Sequence, residues 1–231
     1  MSLLDEITVR GAEIRTRLRK LLPRHATGDT KTDWLIASMD IALEHHEAVE
    51  RLVKTNLNGS AFSVVRMVFD TYLRSLWLNA YATDARMKQA CRDKLEWPNN
   101  WKMRDEIKQA YYDESCSVEE AARHDKFFQF LNDVWPIMCD YTHSGSRQIA
   151  RRFTDDELKP DYSEGAVAEA VNLTNIAVLM MTGALFVRIG PKEKAEEIAS
   201  MLADYAKQKF GARLRAAATE ADRLRRVSEA R

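Results

Sequence analysis

The chain has 231 residues, 45% of them hydrophobic and 30% charged, which describes a folded globular protein and excludes an intrinsically disordered one. Its 35 Lys and Arg balance 35 Asp and Glu, so no global field drives it onto nucleic acid or anionic lipid, and any such binding must come from a local patch. Three widely spaced cysteines, Cys91, Cys116 and Cys139, form no CxxC pair, which argues against a disulfide framework or a zinc site and suits a reducing compartment.

Eight glycines and five prolines leave few turns and favour long helices. Residues 3–22 read as an amphipathic helix with Leu3, Leu4, Ile7, Ile14, Leu18 and Leu21 on one side, ended at Pro23. Thr32 or Asp33 is expected to cap a second helix, whose apolar face is Trp34, Leu35, Met39, Ala42, Leu43, Val49, Leu52 and Val53. His45 and His46 lie about 100° apart on it, so they cannot share one metal from that face, and both read as surface residues.

Residues 59–82 are the stretch around which the chain is organised. One arc of this helix carries Ala61, Phe62, Val64, Val65, Val68, Phe69, Tyr72, Leu73 and Leu76, wide enough for a core element. The opposite face holds Arg66, Asp70 and Arg74 at i, i+4 and i+8. Charges on such a helix must be paired or must line a cavity, because an unpaired buried charge is very costly. Two readings follow: Asp70 bridges two arginines as a packing device, or the three form a wall of an anion-binding cleft.

Residues 83–116 are polar and read as a helical insertion over the bundle, held down by Trp97 and Trp101. Ser117 and Glu120 form a capping-box signature opening a helix that runs to about Cys139, with Pro136 bending its end. A turn of small and polar residues follows, Tyr141-Thr142-His143-Ser144-Gly145, leading to Arg147, Arg151 and Arg152. A helix starting near Ser144 would project Arg147 and Arg151 from one face beside free backbone N–H groups, a place suited to a phosphate. The most apolar helix spans 164–189 and is expected at the centre of the bundle. Its longest apolar run, about a dozen residues from Ile176 to Val187, falls short of the roughly 20 needed to cross a membrane. With no signal-peptide pattern at the N-terminus, the expectation is a cytoplasmic protein without membrane contact. Gly190 and Pro191 separate this helix from a last, charged one expected over 191 to about 226.

The fold expected is therefore all-α: an antiparallel helical bundle over 1–190 with its insertion at 83–116, and a C-terminal helix over 191–231 that packs on the bundle or forms a dimer arm. Its thin apolar seam favours a homodimer. The chain contains none of the motifs GxxxxGK[ST], GxGxxG, GxSxG or HExxH, and no cofactor or metal is expected.

The spacing Ala61-x4-Arg66-x3-Asp70-x3-Arg74-x2-Trp77, followed by Tyr141-Thr142-His143-Ser144-Gly145, resembles an uncharacterised family of bacterial all-helical proteins similar to the HEPN (higher eukaryotes and prokaryotes nucleotide-binding) superfamily. The resemblance covers about residues 30–190. It implies a dimerising bundle, membership of phage-defence or toxin–antitoxin systems with a protein partner from the same operon, and in many members metal-independent ribonuclease activity from an Arg-x4–6-His motif. Here the one such spacing, Arg19 to His25, contains Pro23. The expected site instead joins His143 and Arg147, as catalytic residues, to Arg66, Asp70, Arg74, Tyr141, Ser144 and Arg151, as residues binding a nucleotide or RNA phosphate. Three readings stand open: binding of an anionic ligand, metal-independent RNA cleavage, and a pure protein-interaction module.

Overall fold

The structure is a computed structural model that describes residues 1–81, 83–111, 118–153 and 157–213. It is all-α, with helices α1 (Leu3–Leu21), α2 (Thr30–Lys54), α3 (Asn58–Tyr81), α4 (Asp84–Ala90), α5 (Asn100–Tyr111), α6 (Val118–Thr142), α7 (Ser146–Ala150), α8 (Glu164–Ile189) and α9 (Lys192–Lys207). Among the described residues the single β feature is an isolated bridge between Phe153 and Leu158.

Local chemistry sets the helix starts. Ser2 and Asp5 close a capping box on α1, with Asp5 N donating to Ser2 Oγ at 3.2 Å and Ser2 N to Asp5 Oδ2 at 3.0 Å. The cap of α2 is Asp29, not Thr32 or Asp33: Thr32 donates both its N–H (3.0 Å) and its hydroxyl (2.5 Å) to the Asp29 carboxylate. A carboxylate at this position also complements the positive end of the helix dipole, which a hydroxyl does not. Ser163 caps α8 through Ala166 N. The capping box expected at Ser117 lies outside the described residues, and α6 runs through Pro136 to Thr142, a turn further than its pattern suggested.

Two helices organise the packing. α3 lies against α2, α5, α6 and α8, while α8 lies against α1, α2, α3 and α9. α8 is apolar on every side, as a helix surrounded by others must be. By length and composition Glu164–Val187 could cross a membrane, yet 67% of its most apolar stretch is buried by the rest of the bundle. Val171, Ala177, Val178 and Leu179 are fully enclosed, in one core with Val68 and Leu73 of α3 and Met39 and Leu43 of α2.

The described part of the expected insertion, residues 83–111, is built into the bundle rather than laid over it. α5 buries Met103 and Ile107, and its Glu106 accepts the Trp77 indole N–H of α3 at 2.6 Å. Trp97 packs on Trp77 with ring centroids 5.9 Å apart, whereas Trp101 is 54% exposed and lies over the Arg104 guanidinium of its own helix at 4.6 Å. The C-terminal helix is interrupted where its charge pattern suggested continuity, and helical backbone resumes over 210–213. α9 ends at Lys207, Lys209 takes a positive φ of 52°, and Phe210 folds back on Tyr205. The remainder of the expected helix, from 214 onward, lies outside the described residues.

Candidate anion site on α3 and a sealed polar network

α3 delivers Arg66 and α6 delivers His143, and the two meet although 77 positions separate them: Arg66 Nη1 lies 2.8 Å from His143 Nε2. An arginine has only donors, so the imidazole nitrogen accepts, which places the His143 proton on Nδ1. Arg66 is held from two further sides. Its Nε lies 3.4 Å from Asp70 Oδ2, an ion pair one helical turn along without hydrogen-bond alignment, and its guanidinium lies 5.6 Å from the centroid of the Trp135 ring. Asp70 is in turn oriented by Asn100, whose Nδ2 donates to Oδ1 at 3.2 Å. The Arg66 and Asp70 side chains are 16% and 26% exposed, and His143 is exposed, so the cluster opens to solvent.

The backbone at His143 explains its position. α6 ends at Thr142, Ser144 takes a positive φ of 53°, and Gly145 N returns to Asp140 O at 2.7 Å, a six-to-one closure of the Schellman type. A side chain at position 145 would collide with the Asp140 carboxylate, so glycine is required there by close approach. Asp140 also accepts Arg147 N at 2.6 Å, and α7 is only five residues long. The expectation of a phosphate on this helix N-terminus is therefore corrected: an internal carboxylate, that of Asp140, already occupies it.

The other expected site residues are dispersed. Arg74 does not pair with Asp70 but lies over Trp97 at 4.9 Å, so the anticipated arginine–aspartate–arginine ladder is a single pair. Tyr141 is buried against Phe62 (4.6 Å), and its carbonyl accepts the Ser63 hydroxyl at 2.9 Å, a packing role. Ser144 and the Arg147 side chain are exposed, and Arg151 Nη1 donates to the Asp161 carbonyl at 3.4 Å. Arg66, Asp70 and His143 are thus the members brought together. Sequence reasoning missed Asn100 and Trp135, which reach the site from α5 and α6, and Asp140, which fixes the turn carrying His143.

A second arginine–carboxylate–histidine group lies in the interior. His46 is not a surface residue but fully buried. Asn175 Nδ2 donates to Ile7 O (3.2 Å) and to the Tyr205 hydroxyl (2.9 Å), and that hydroxyl donates to Asn172 Oδ1 (2.8 Å). Asn175 Oδ1 is therefore the acceptor for His46 Nε2, 2.6 Å away, and His46 carries its proton there. On its other side Arg15 of α1 contacts His46 Nδ1 at 3.4 Å and donates to Glu50. Burial pushes the His46 imidazole down to about 4, and it pushes the Glu50 carboxyl up against the pull of Arg15. Gly11 makes room for this group, since a Cβ there would strike Glu50 Oε1 and Asn175 Oδ1. The signal was available: His46 lies on the same stripe as Leu43, Val49 and Val53, and Glu50 follows it by four.

Among curated proteins and solved structures, none matches this chain. A family model described as a family of unknown function (DUF6988) matches residues 39–209, a span that holds Arg66, Asp70, Trp135 and His143. The chain belongs to that family.

Proposed function

We propose that this is a HEPN-like protein of the bacterial defence or toxin–antitoxin kind, and that its Arg66–His143 pair binds the phosphate of an RNA or nucleotide. The observation that carries the reading is the 2.8 Å contact between an anchored arginine and an exposed histidine. An arriving phosphate offers both partners something the free protein does not. Arg66 exchanges a neutral acceptor for a charged one, and His143, once protonated, turns from acceptor into donor. Asp70 and Trp135 keep Arg66 in place while this happens, so little side-chain entropy is lost on binding.

The same pair supports the enzymatic version of the reading. His143 would take the 2′-hydroxyl proton or return one to the departing 5′-oxygen, and Arg66 would stabilise the charge on the pentacoordinate phosphorus. Loss of one such stabiliser lowers turnover by about 10²–10³. Exposed Ile149, Phe153 and Leu158, beside the same basic segment, favour a homodimer that covers them.

The test uses a labelled single-stranded RNA at low salt, followed by anisotropy for binding and by gel for cleavage in EDTA. Binding that weakens at least about tenfold in Arg66→Ala supports the ligand reading. Cleavage that persists in EDTA and vanishes in His143→Ala supports the ribonuclease. Neither binding nor cleavage by the wild type overturns both and leaves an interaction module.

A further inference from the structure

We propose that the phosphate held at Arg66 belongs to a single-stranded RNA and that an unpaired base of the same strand stacks on Trp101. This rests on the phosphate reading above and narrows it to one substrate class. Trp101 stands in the first turn of α5, whose inner side is marked by the buried Met103 and Ile107. At 100° per residue Trp101 lies well away from that side and next to Arg104, three positions on.

The ring is held in solvent by a guanidinium beneath it. Arg104 lies 4.6 Å from the Trp101 centroid and is itself only 4% exposed. Its Nη2 donates to the Phe128 carbonyl of α6 at 3.1 Å, while Nε and Nη1 have no hydrogen-bond partner. A buried cation so poorly satisfied is costly, and contact with the indole π face offsets part of that cost. One face of the indole is therefore taken. The other is open, because a tryptophan covered on both faces could not keep 54% of its surface exposed. A cation on the inner face draws π density toward itself, which leaves the outer face matched to the electron-rich ring of a nucleobase.

Position joins this open face to the phosphate site. Asn100, one residue before Trp101, donates to Asp70 Oδ1 at 3.2 Å, and Asp70 is the ion-pair partner of Arg66. α6 carries the same link: the Phe128 carbonyl receives Arg104, and the Trp135 ring, seven residues on, lies 5.6 Å from the Arg66 guanidinium. Seven helical residues rise about 10 Å, a span that nearby nucleotides of one extended strand cover. Asp105, exposed one turn along α5 from Trp101, disfavours a phosphate there and leaves the position to an uncharged base. Because the chain carries no net charge, a base contact supplies affinity that a general field does not. A duplex keeps its bases in the stack and offers none to Trp101, whereas a single strand does.

The experiment is fluorescence anisotropy of the full chain at low salt with a short labelled single-stranded RNA, its duplex, and an abasic strand of equal length. Expected is single-strand binding at least about fivefold tighter than binding of the duplex or the abasic strand. Trp101→Leu keeps an apolar cover on Arg104 and should weaken single-strand binding at least about fivefold, while Trp101→Phe should stay within about threefold of wild type. Neither substitution should alter the salt slope, whereas Arg66→Ala should lower it by about one. Circular dichroism checks that each variant is folded. If Arg66→Ala weakens binding and Trp101→Leu does not, the phosphate reading stands and this proposal falls. Equal affinity for the abasic strand or the duplex also overturns it, and a wild type that binds no RNA overturns both.

Discussion

Two groups of the same composition occupy this bundle, each an arginine, a carboxylate and a histidine, and they differ in nearly every physical respect. Arg15, Glu50 and His46 lie where α1, α2, α8 and α9 meet, with His46 wholly buried and the Glu50 side chain 2% exposed. Arg66, Asp70 and His143 lie at the edge of α3, with the histidine in solvent. In the first group nearly every polar atom is committed to another element of the fold, through Asn175, Tyr205 and Asn172. In the second, the three members share one hydrogen bond and one loose ion pair, Asn100 and Trp135 add one contact each, and water reaches the set. Residue types alone thus do not make a site; what distinguishes the two is which polar groups the fold has already satisfied.

If the interior group is structural, breaking it should cost the most. Arg15→Met leaves Glu50 without its counter-charge in a position no water reaches. Removing one partner of such a pair costs about 3–5 kcal/mol, measured as the loss in urea unfolding free energy at pH 7. An effect below about 1 kcal/mol would place Glu50 in the same class as Asp70 and dissolve the contrast.

The interior histidine also sharpens the contrast through pH. Its folded value of about 4 lies below the ordinary value of 6.5, so between those limits the unfolded chain binds the extra proton. Stability is therefore fully present above about pH 6.5 and is lost as pH falls toward 4, by about 3 kcal/mol. Glu50 works in the opposite sense, because its raised value lets the folded state take up a proton before the unfolded one does. The His46 part is isolated as the difference in acid sensitivity between Glu50→Gln and the Glu50→Gln/His46→Gln double variant.

At the open group the expected losses are small. Asp70→Ala should cost about 1 kcal/mol, since water can solvate the partly exposed Arg66 once its partner is gone. His143→Ala should change stability by less than about 0.5 kcal/mol, as expected at an exposed position. Ser144→Gly should stabilise by roughly 0.5–1 kcal/mol, because the positive φ at that turn suits a residue without Cβ. Thermal melts of the three variants side by side check the order.

The fold was legible because helical periodicity is a local signal. The apolar arc of 59–82 and the predominantly apolar 164–189 marked the two central helices, and both α3 and α8 lie at the centre of the packing. The site was legible in part. Arg66, Asp70 and His143 could be singled out, since charge on a core-facing helix and a histidine in a small-residue turn are both unusual. Their partners could not, because Trp135 and Asn100 act across helices, and nothing in their own neighbourhoods announces it. Arg74 was misjudged for the same reason: i+4 spacing placed it beside Asp70, while a tryptophan from the 91–99 connection competed for its guanidinium. The break after Lys207 was not foreseen because Ala, Lys, Glu and Arg continue past it with good helix propensity, and the positive φ at Lys209 has no glycine to signal it.

The most direct measurement follows both histidines in one spectrum. Proton–nitrogen correlation of the imidazole rings, with resonances assigned from His46→Gln and His143→Ala, is recorded while a short single-stranded RNA is added at low salt. The account expects the His143 Nε2 and Nδ1 signals to move in a saturable manner toward the doubly protonated pattern, with His46 unmoved and the response abolished in Arg66→Ala. A His143 ring that stays still at saturating RNA, or shifts equally without Arg66, contradicts the claim that the open group is the anion site.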